Sequence, residues 1–243
     1  MKKTTKRHDA LVMELNRELE RHADERYRAV AQRLFREPVE LHGVRTTEVR
    51  RISLEFWQRV KARPREEILA LCDELVEFET LEERGMAFGW AERLERSFRP
   101  ADFARFERWL KRYVTNWALC DGLCCGPLGR FLVRYPEFVP RVQRWAKSGN
   151  RWVRRAAAVA MILPSRKGLY LAEAFATADA LHEDDDDMVQ KGYGWMLKEI
   201  ANREQRMVFD YVMRNRHRMP RTALRYAIEK MPAALKKRAM ARP

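Results

Sequence analysis

Apolar residues recur along the chain at intervals of three and four, with charged residues between them, and runs of alternating β-branched residues are absent. The pattern therefore predicts helices throughout, with boundaries set by caps and prolines. A first helical segment is expected over about 7–36, breaking near its middle. A second is capped by Thr46 or Thr47 and runs to about 62; a third, opened by Pro64 with Glu66 and Glu67 near its positive end, runs to about 78. Further helices are predicted over about 81–98, 101–114, 117–133, 137–147, 151–163, 166–181, 187–201, 204–216 and 221–231, with Asn116 and Asn150 at N-cap positions.

These helices are similar in length and joined by short connections. Two per ~40 residues is the period of HEAT or armadillo units. Stacked antiparallel pairs make a superhelical solenoid with a concave binding face, so the expected fold is an all-α solenoid of HEAT-like pairs. No linker-like stretch interrupts it, and a single domain over residues 1–243 is expected. The one biased run, EDDDD at 183–187, lacks the spaced carboxylates and glycine of a calcium loop. It reads as a loop entering a helix with its acids near the positive end of the dipole.

Composition turns the question towards partners. With 49 Lys and Arg against 35 Asp and Glu, the formal net charge is +14, which favours polyanions, nucleic acid ahead of a membrane surface. No run approaches the ~18 apolar residues of a membrane span. The opening MKKTTKRHDALVMELNRELERH has no apolar core, so no signal peptide is expected. Cys72, Cys120, Cys124 and Cys125 read as reduced thiols of a cytoplasmic protein. They lack the second ligand pair of a zinc site, and neither metal nor cofactor is expected. The charge is concentrated. Residues 141–155, RVQRWAKSGNRWVRR, carry six Arg or Lys and no acid; from Arg214 onward ten basic residues face only Glu229. Arg151, Arg154 and Arg155 share one helical face, and planar guanidinium groups suit phosphates.

Two helical pairs carry candidate chemistry. Trp117 and Asp121 in NWALCDGLCC are four residues apart, as are Lys191 and Trp195 in VQKGYGWMLKEI. Gly192 and Gly194 inside that second helix imply either a close approach of something to the backbone or tight packing between helices. Trp57, Trp90, Trp109, Trp145 and Trp152 read as core.

The segments GVRTTEVR (43–50), NWALCDGLCCGPLG (116–129), NRWVRRAAAVAMI (150–162), DMVQKGYGWMLKE (187–199) and MPRTALRYAIEKM (219–231) together resemble the AlkD-type DNA alkylation repair enzymes, alkylpurine DNA glycosylases of HEAT-like repeats. The resemblance implies that Asp121 is catalytic, that Trp117 and Trp195 flank the damaged nucleotide, and that Arg155 contacts the DNA backbone. Arg151, Arg154, Lys191 and Arg221 are the further basic side chains expected to meet DNA. The family's tyrosine in the second helix aligns with Leu34, Phe35 beside it.

A purine alkylated at N3 or N7 is already cationic and leaves as a neutral base, so a single carboxylate can suffice: it stabilises the oxocarbenium-like sugar and aims a water. Indole faces add cation–π attraction. Neighbouring arginines would lower the pKa of Asp121 and desolvation would raise it, which leaves the balance open. The expected function is a monofunctional glycosylase, acting as a monomer on alkylated bases in duplex DNA without deep base flipping. The alternatives are a non-catalytic HEAT-like module holding distorted or branched DNA, and a protein-interaction scaffold.

Overall fold

The computed structural model describes residues 8–241, so residues 1–7 of the basic opening, including the expected start of the first helix, lie outside them. The described residues are all-α, without a strand, and pack as two compact units that divide between Phe98 and Arg99, directly before Pro100.

The first unit holds α1 (Ala10–Arg21), α2 (Glu25–Gln32), α3 (Thr46–Val60), α4 (Arg65–Leu75) and α5 (Leu81–Arg93). The expected 7–36 segment is thus two helices: α1 stops at Arg21, and the Asp24 carboxylate starts α2 by accepting the Arg26 and Tyr27 amides. Helix α3 begins at Thr46 with no side-chain cap, so neither threonine plays the predicted role. Leu15, Leu19, Ile52, Phe56, Val60, Leu69 and Trp90 are buried at helical spacing, which is what holds α1, α3, α4 and α5 together. The loop before α3 is pinned by α5. Glu82 accepts the amides of His42, Gly43 and Val44, with Gly43 at φ 84°, and fully buried Glu83 accepts His42 Nε2–H at 2.7 Å and Asn16 Nδ2–H at 2.7 Å.

The second unit holds α6 (Asp102–Tyr113), α7 (Trp117–Leu123), a π-turn (Cys124–Leu128), α8 (Gly129–Arg134), α9 (Val139–Gln143), α10 (Arg151–Val159), α11 (Ile162–Arg166), α12 (Leu171–Ala180), α13 (Asp187–Ala201), α14 (Gln205–Asn215), α15 (Arg221–Ala227) and α16 (Ala233–Met240). Helix α10 packs against α6, α7 and α13, and α13 against α12, α14 and α15, the stacked helical pairs that the periodicity implied. Asn116 and Asn150 are the N-caps, accepting the amides of Leu119 and Trp152 at 3.0 and 2.9 Å.

Four expected helices differ, the 151–163 helix by ending at Val159 before a separate α11. The 117–133 helix is interrupted, because Gly126 is non-helical (φ −88°, ψ −117°), Pro127 has no amide to donate, and a Cβ on Gly129 would lie 2.6 Å from the Cys124 carbonyl oxygen. The 166–181 helix starts only at Leu171, after Gly168 (φ 76°) and Tyr170 (φ 55°) turn the chain through left-handed backbone. Residues 137–147 form short 3₁₀ and α turns rather than one helix. Helix α16, with only Ala239 buried, was not anticipated.

The two glycines of α13 mark close packing. A Cβ on Gly194 would lie 2.7 Å from the Ala223 carbonyl oxygen and 2.7 Å from Tyr226 Cβ on α15, whereas one on Gly85 in α5 meets nothing within 4 Å. Gly194→Ala should therefore destabilise by about 1–3 kcal/mol and Gly85→Ala stabilise by about 0.5–1 kcal/mol, read from denaturant midpoints. The His42–Glu83 pair makes stability pH-dependent. Burial pushes His42 down, but the hydrogen bond and charge of Glu83 outweigh it and hold the imidazolium above its ordinary 6.5. Its contribution is therefore complete below pH 6.5 and disappears as pH rises through the raised folded value. Between pH 6 and pH 8.5 the wild type should lose stability relative to His42→Gln; equal losses would leave His42 without that role.

Candidate active site

Asn116 fixes the first turn of α7, and from there Trp117 and Asp121 project on one face, both half-buried. The partner of Asp121 comes from α10. Arg155 donates Nε–H to Oδ1 and Nη2–H to Oδ2, both at 2.9 Å, while its Nη1–H reaches the Met188 carbonyl on α13. Arg155 is 5% exposed and the Asp121 side chain 19%. Gly192 makes this possible: a Cβ there would lie 3.1 Å from Arg155 Cγ, so the bare backbone leaves the channel through which the guanidinium passes. Both readings of the α13 glycines hold, Gly192 admitting a side chain and Gly194 admitting a helix.

Burial raises the Asp121 carboxyl above its ordinary value; the charge and hydrogen bonds of Arg155 pull it down without cancelling the shift. The bidentate geometry needs both oxygens as acceptors, and an arginine keeps its proton, so the pair stands as carboxylate and guanidinium.

On α13, Met188, Gly192, Trp195 and Glu199 lie at i, i+4, i+7 and i+11, hence on one face, and the first two meet Arg155. Half-buried Trp195 donates its indole N–H to Glu199 Oε1 at 3.0 Å. Cys125 is within electrostatic reach of Asp121, Arg166 and Arg155. Burial, with Asp121 adding to it, pushes its thiol up to about 12, so it stays protonated and unreactive.

The basic side chains expected to meet DNA all have partners within the chain. Arg155 is tied to Asp121 and the Met188 carbonyl rather than presented to solvent. Arg154 is bound to Asp184 at 2.6 and 3.3 Å and to the Ser148 carbonyl at 3.0 Å; Arg151 is bound to Asp186 and stacks on Trp152 at 4.9 Å. The acids absent from residues 141–155 are thus supplied by the 183–187 run, which neutralises the arginine face besides capping α13 through Asp186. Lys191 pairs with Asp187 at 3.0 Å. Exposed Arg221 donates to the Met240 carbonyl at 3.3 Å. Trp90, Trp109, Trp145 and Trp152 are core as expected, whereas Trp57 is half-buried beneath Arg93. Leu34 lies beyond the end of α2 and is 69% exposed; the tyrosine that α2 carries is Tyr27.

A family model described as "DNA alkylation repair enzyme" matches residues 15–231. The chain belongs to the DNA alkylation repair enzyme family. Among solved structures it is similar to a predicted DNA alkylation repair enzyme from Enterococcus faecalis, at 13% identity over 87% of this chain and 98% of that one, with a TM-score of 0.78. It is also similar to AlkD2 from Streptococcus mutans, at 18% identity over 92% of this chain and 100% of that one, with a TM-score of 0.60. No curated protein matches the sequence.

Within this repair-family fold, sequence reasoning passed over two residues at the site. Glu199 anchors Trp195 and is itself fixed by Arg166 Nε–H at 2.9 Å and Asn202 Nδ2–H at 3.0 Å. Burial pushes its carboxyl up, but the hydrogen bonds from Arg166 and Trp195 outweigh this and hold it below the usual range. The i, i+4 spacing of Trp195 and Glu199 is visible in GWMLKE; the Arg166 partner, 33 residues away, is not.

The Asp121–Arg155 pair predicts its own stability signature. Asp121→Ala leaves a buried guanidinium without its anion and should cost about 3–5 kcal/mol, while Asp121→Ala with Arg155→Met should recover most of that loss. Urea unfolding of the double variant and of both single variants, Arg155→Met included, checks this; additive losses would show that the two groups are not coupled.

Proposed function

We propose that this protein is a monofunctional DNA glycosylase that hydrolyses the N-glycosidic bond of cationic N3- or N7-alkylated purines in duplex DNA. The carrying observation is a largely buried but still accessible, ionised Asp121 locked by two hydrogen bonds from Arg155 on a helix face shared with Trp117. Each Asp121 oxygen gives one lone pair to Arg155 and keeps another for a sugar or a water.

In the reaction, the C1′–N bond breaks with its electron pair moving to the base, which leaves neutral because it began as a cation. The sugar becomes oxocarbenium-like. Asp121 stabilises that charge and orients a water; the water oxygen bonds to C1′ and its proton passes through the carboxylate to solvent, leaving an abasic site. Trp117 and Trp195 supply indole faces for the developing cation. Protonated Cys125 offers no competing nucleophile. The rigid side chains favour a reaction whose charge appears at a fixed place.

Released bases from N-methyl-N-nitrosourea-treated duplex DNA are the direct test. Wild type should release 7-methylguanine or 3-methyladenine and leave uracil and hypoxanthine in place, because neutral bases need protonation and Glu199, the other carboxylate of the site, is held ionised by Arg166 and Trp195. Asp121→Asn should lower release by at least about 10²-fold while DNA affinity is kept. Release by Asp121→Asn at the wild-type rate would remove the catalytic assignment, and efficient uracil excision would remove the single-carboxylate chemistry.

A further inference from the structure

We infer that Glu199 is a positioning residue that locks the Trp195 indole and makes its face a stronger binder of positive charge, an inference that rests on the proposed role of Trp195 at a cationic sugar. Three observations carry it. The indole N–H of Trp195 meets Glu199 Oε1 at 3.0 Å, within one helix, so the ring cannot turn about its side-chain bonds without breaking the bond. The other carboxylate oxygen is held from outside the ring by Arg166 Nε–H at 2.9 Å and Asn202 Nδ2–H at 3.0 Å, so the anchor is itself immobile. Glu199 is buried, where water screens its charge little.

The physical consequence is directional. An N–H donating to an anion loses positive character at the proton, and electron density moves into the π system. The indole face then attracts a cation more strongly than the same ring bonded to water or to a neutral amide. Burying Glu199 is costly unless its charge is used or compensated. Arg166 compensates only in part, because its side chain is 47% exposed and its own charge is shared with solvent. The carboxylate thus retains excess negative charge, directed through the indole nitrogen.

The test separates the lock from the charge. Glu199→Gln keeps an acceptor at the same place without the charge, and Glu199→Leu removes both; in either case Arg166 can return to water. Each variant is bound to two duplexes that need no hydrolysis. One carries a pyrrolidine abasic analogue protonated at its ring nitrogen, the other its neutral tetrahydrofuran counterpart. Wild type should prefer the cationic duplex. Glu199→Gln should lower that preference about three- to tenfold, the scale of a cation–π contact, with the neutral-duplex affinity and the melting temperature unchanged. Glu199→Leu should lower the preference further. In base release, Glu199→Gln should lower kcat with little change in KM, since the charge it supports exists only in the transition state. An unchanged cationic preference in both variants, or its absence in wild type, would overturn the inference. Loss of base release in wild type with a preference that still depends on Glu199 would overturn the glycosylase reading and leave the inference standing.

Discussion

The second unit is organised around one side chain. Arg155 leaves α10, fixes the carboxylate of α7 with two nitrogens and the Met188 carbonyl of α13 with the third, and is almost fully buried while doing so. A guanidinium has five donors in a fixed plane, so satisfying it on two sides fixes the relative positions of α7, α10 and α13 more tightly than apolar contact alone. The arrangement is demanding: α13 must be bare at Gly192, and burying a charge requires an ionised partner at the right distance. Sequence, packing and candidate chemistry converge on the same few atoms.

The same device recurs between successive helical pairs. Glu107 takes Arg141, Asp121 takes Arg155, Asp184 and Asp186 take Arg154 and Arg151, Glu199 takes Arg166, and Glu229 takes Lys198, at separations of 30–35 residues. Each joins one repeat to the next. Each pair has at least one largely buried partner, so desolvation offsets much of the attraction and the effect of the pairs lies in register rather than in bulk stability. They also alter the charge picture. A net +14 is a property of the whole chain, but the densest arginine cluster is internally balanced, and side chains that are already engaged cannot simply be counted as phosphate contacts.

What could be read in advance follows the range of the physics. Capping acts over three residues and helical facing over four, so Asn116, Asn150 and the Trp117–Asp121 pair were legible. The break at Gly126 was missed because apolar spacing continues through CCGPLG, although its Gly126–Pro127 pair is itself a breaker signal. The ion pairs of Arg151 and Arg154 were not legible, because their acids lie 35 and 30 residues away and a local search of residues 141–155 finds none. The pKa balance of Asp121 depends on burial, a tertiary quantity, and burial prevails over the guanidinium. Sequence marks the candidate residues but not their supports, and Glu199 is the clearest case: its spacing from Trp195 is local, whereas the Arg166 contact that holds it is not.

Pairing the carboxylate has a consequence for the proposed reaction that a bare aspartate would lack. A lone anion repels phosphates at every distance; at 4 Å two unit charges interact by about 4 kcal/mol at an effective dielectric of 20, and the energy falls only as the inverse of distance. The Asp121–Arg155 pair is neutral in sum, so beyond the dimensions of the pair its field is that of a dipole and fades faster. A DNA backbone can then approach with little repulsion. A sugar cation touching the exposed edge of Asp121 sits much nearer the carboxylate than the guanidinium behind it, and there the negative end dominates. The pair therefore weakens the ground-state penalty while retaining contact attraction for the transition state, which is the differential that accelerates a reaction. That balance requires Arg155 to remain on the protein side of Asp121, and the Met188 carbonyl holds it there.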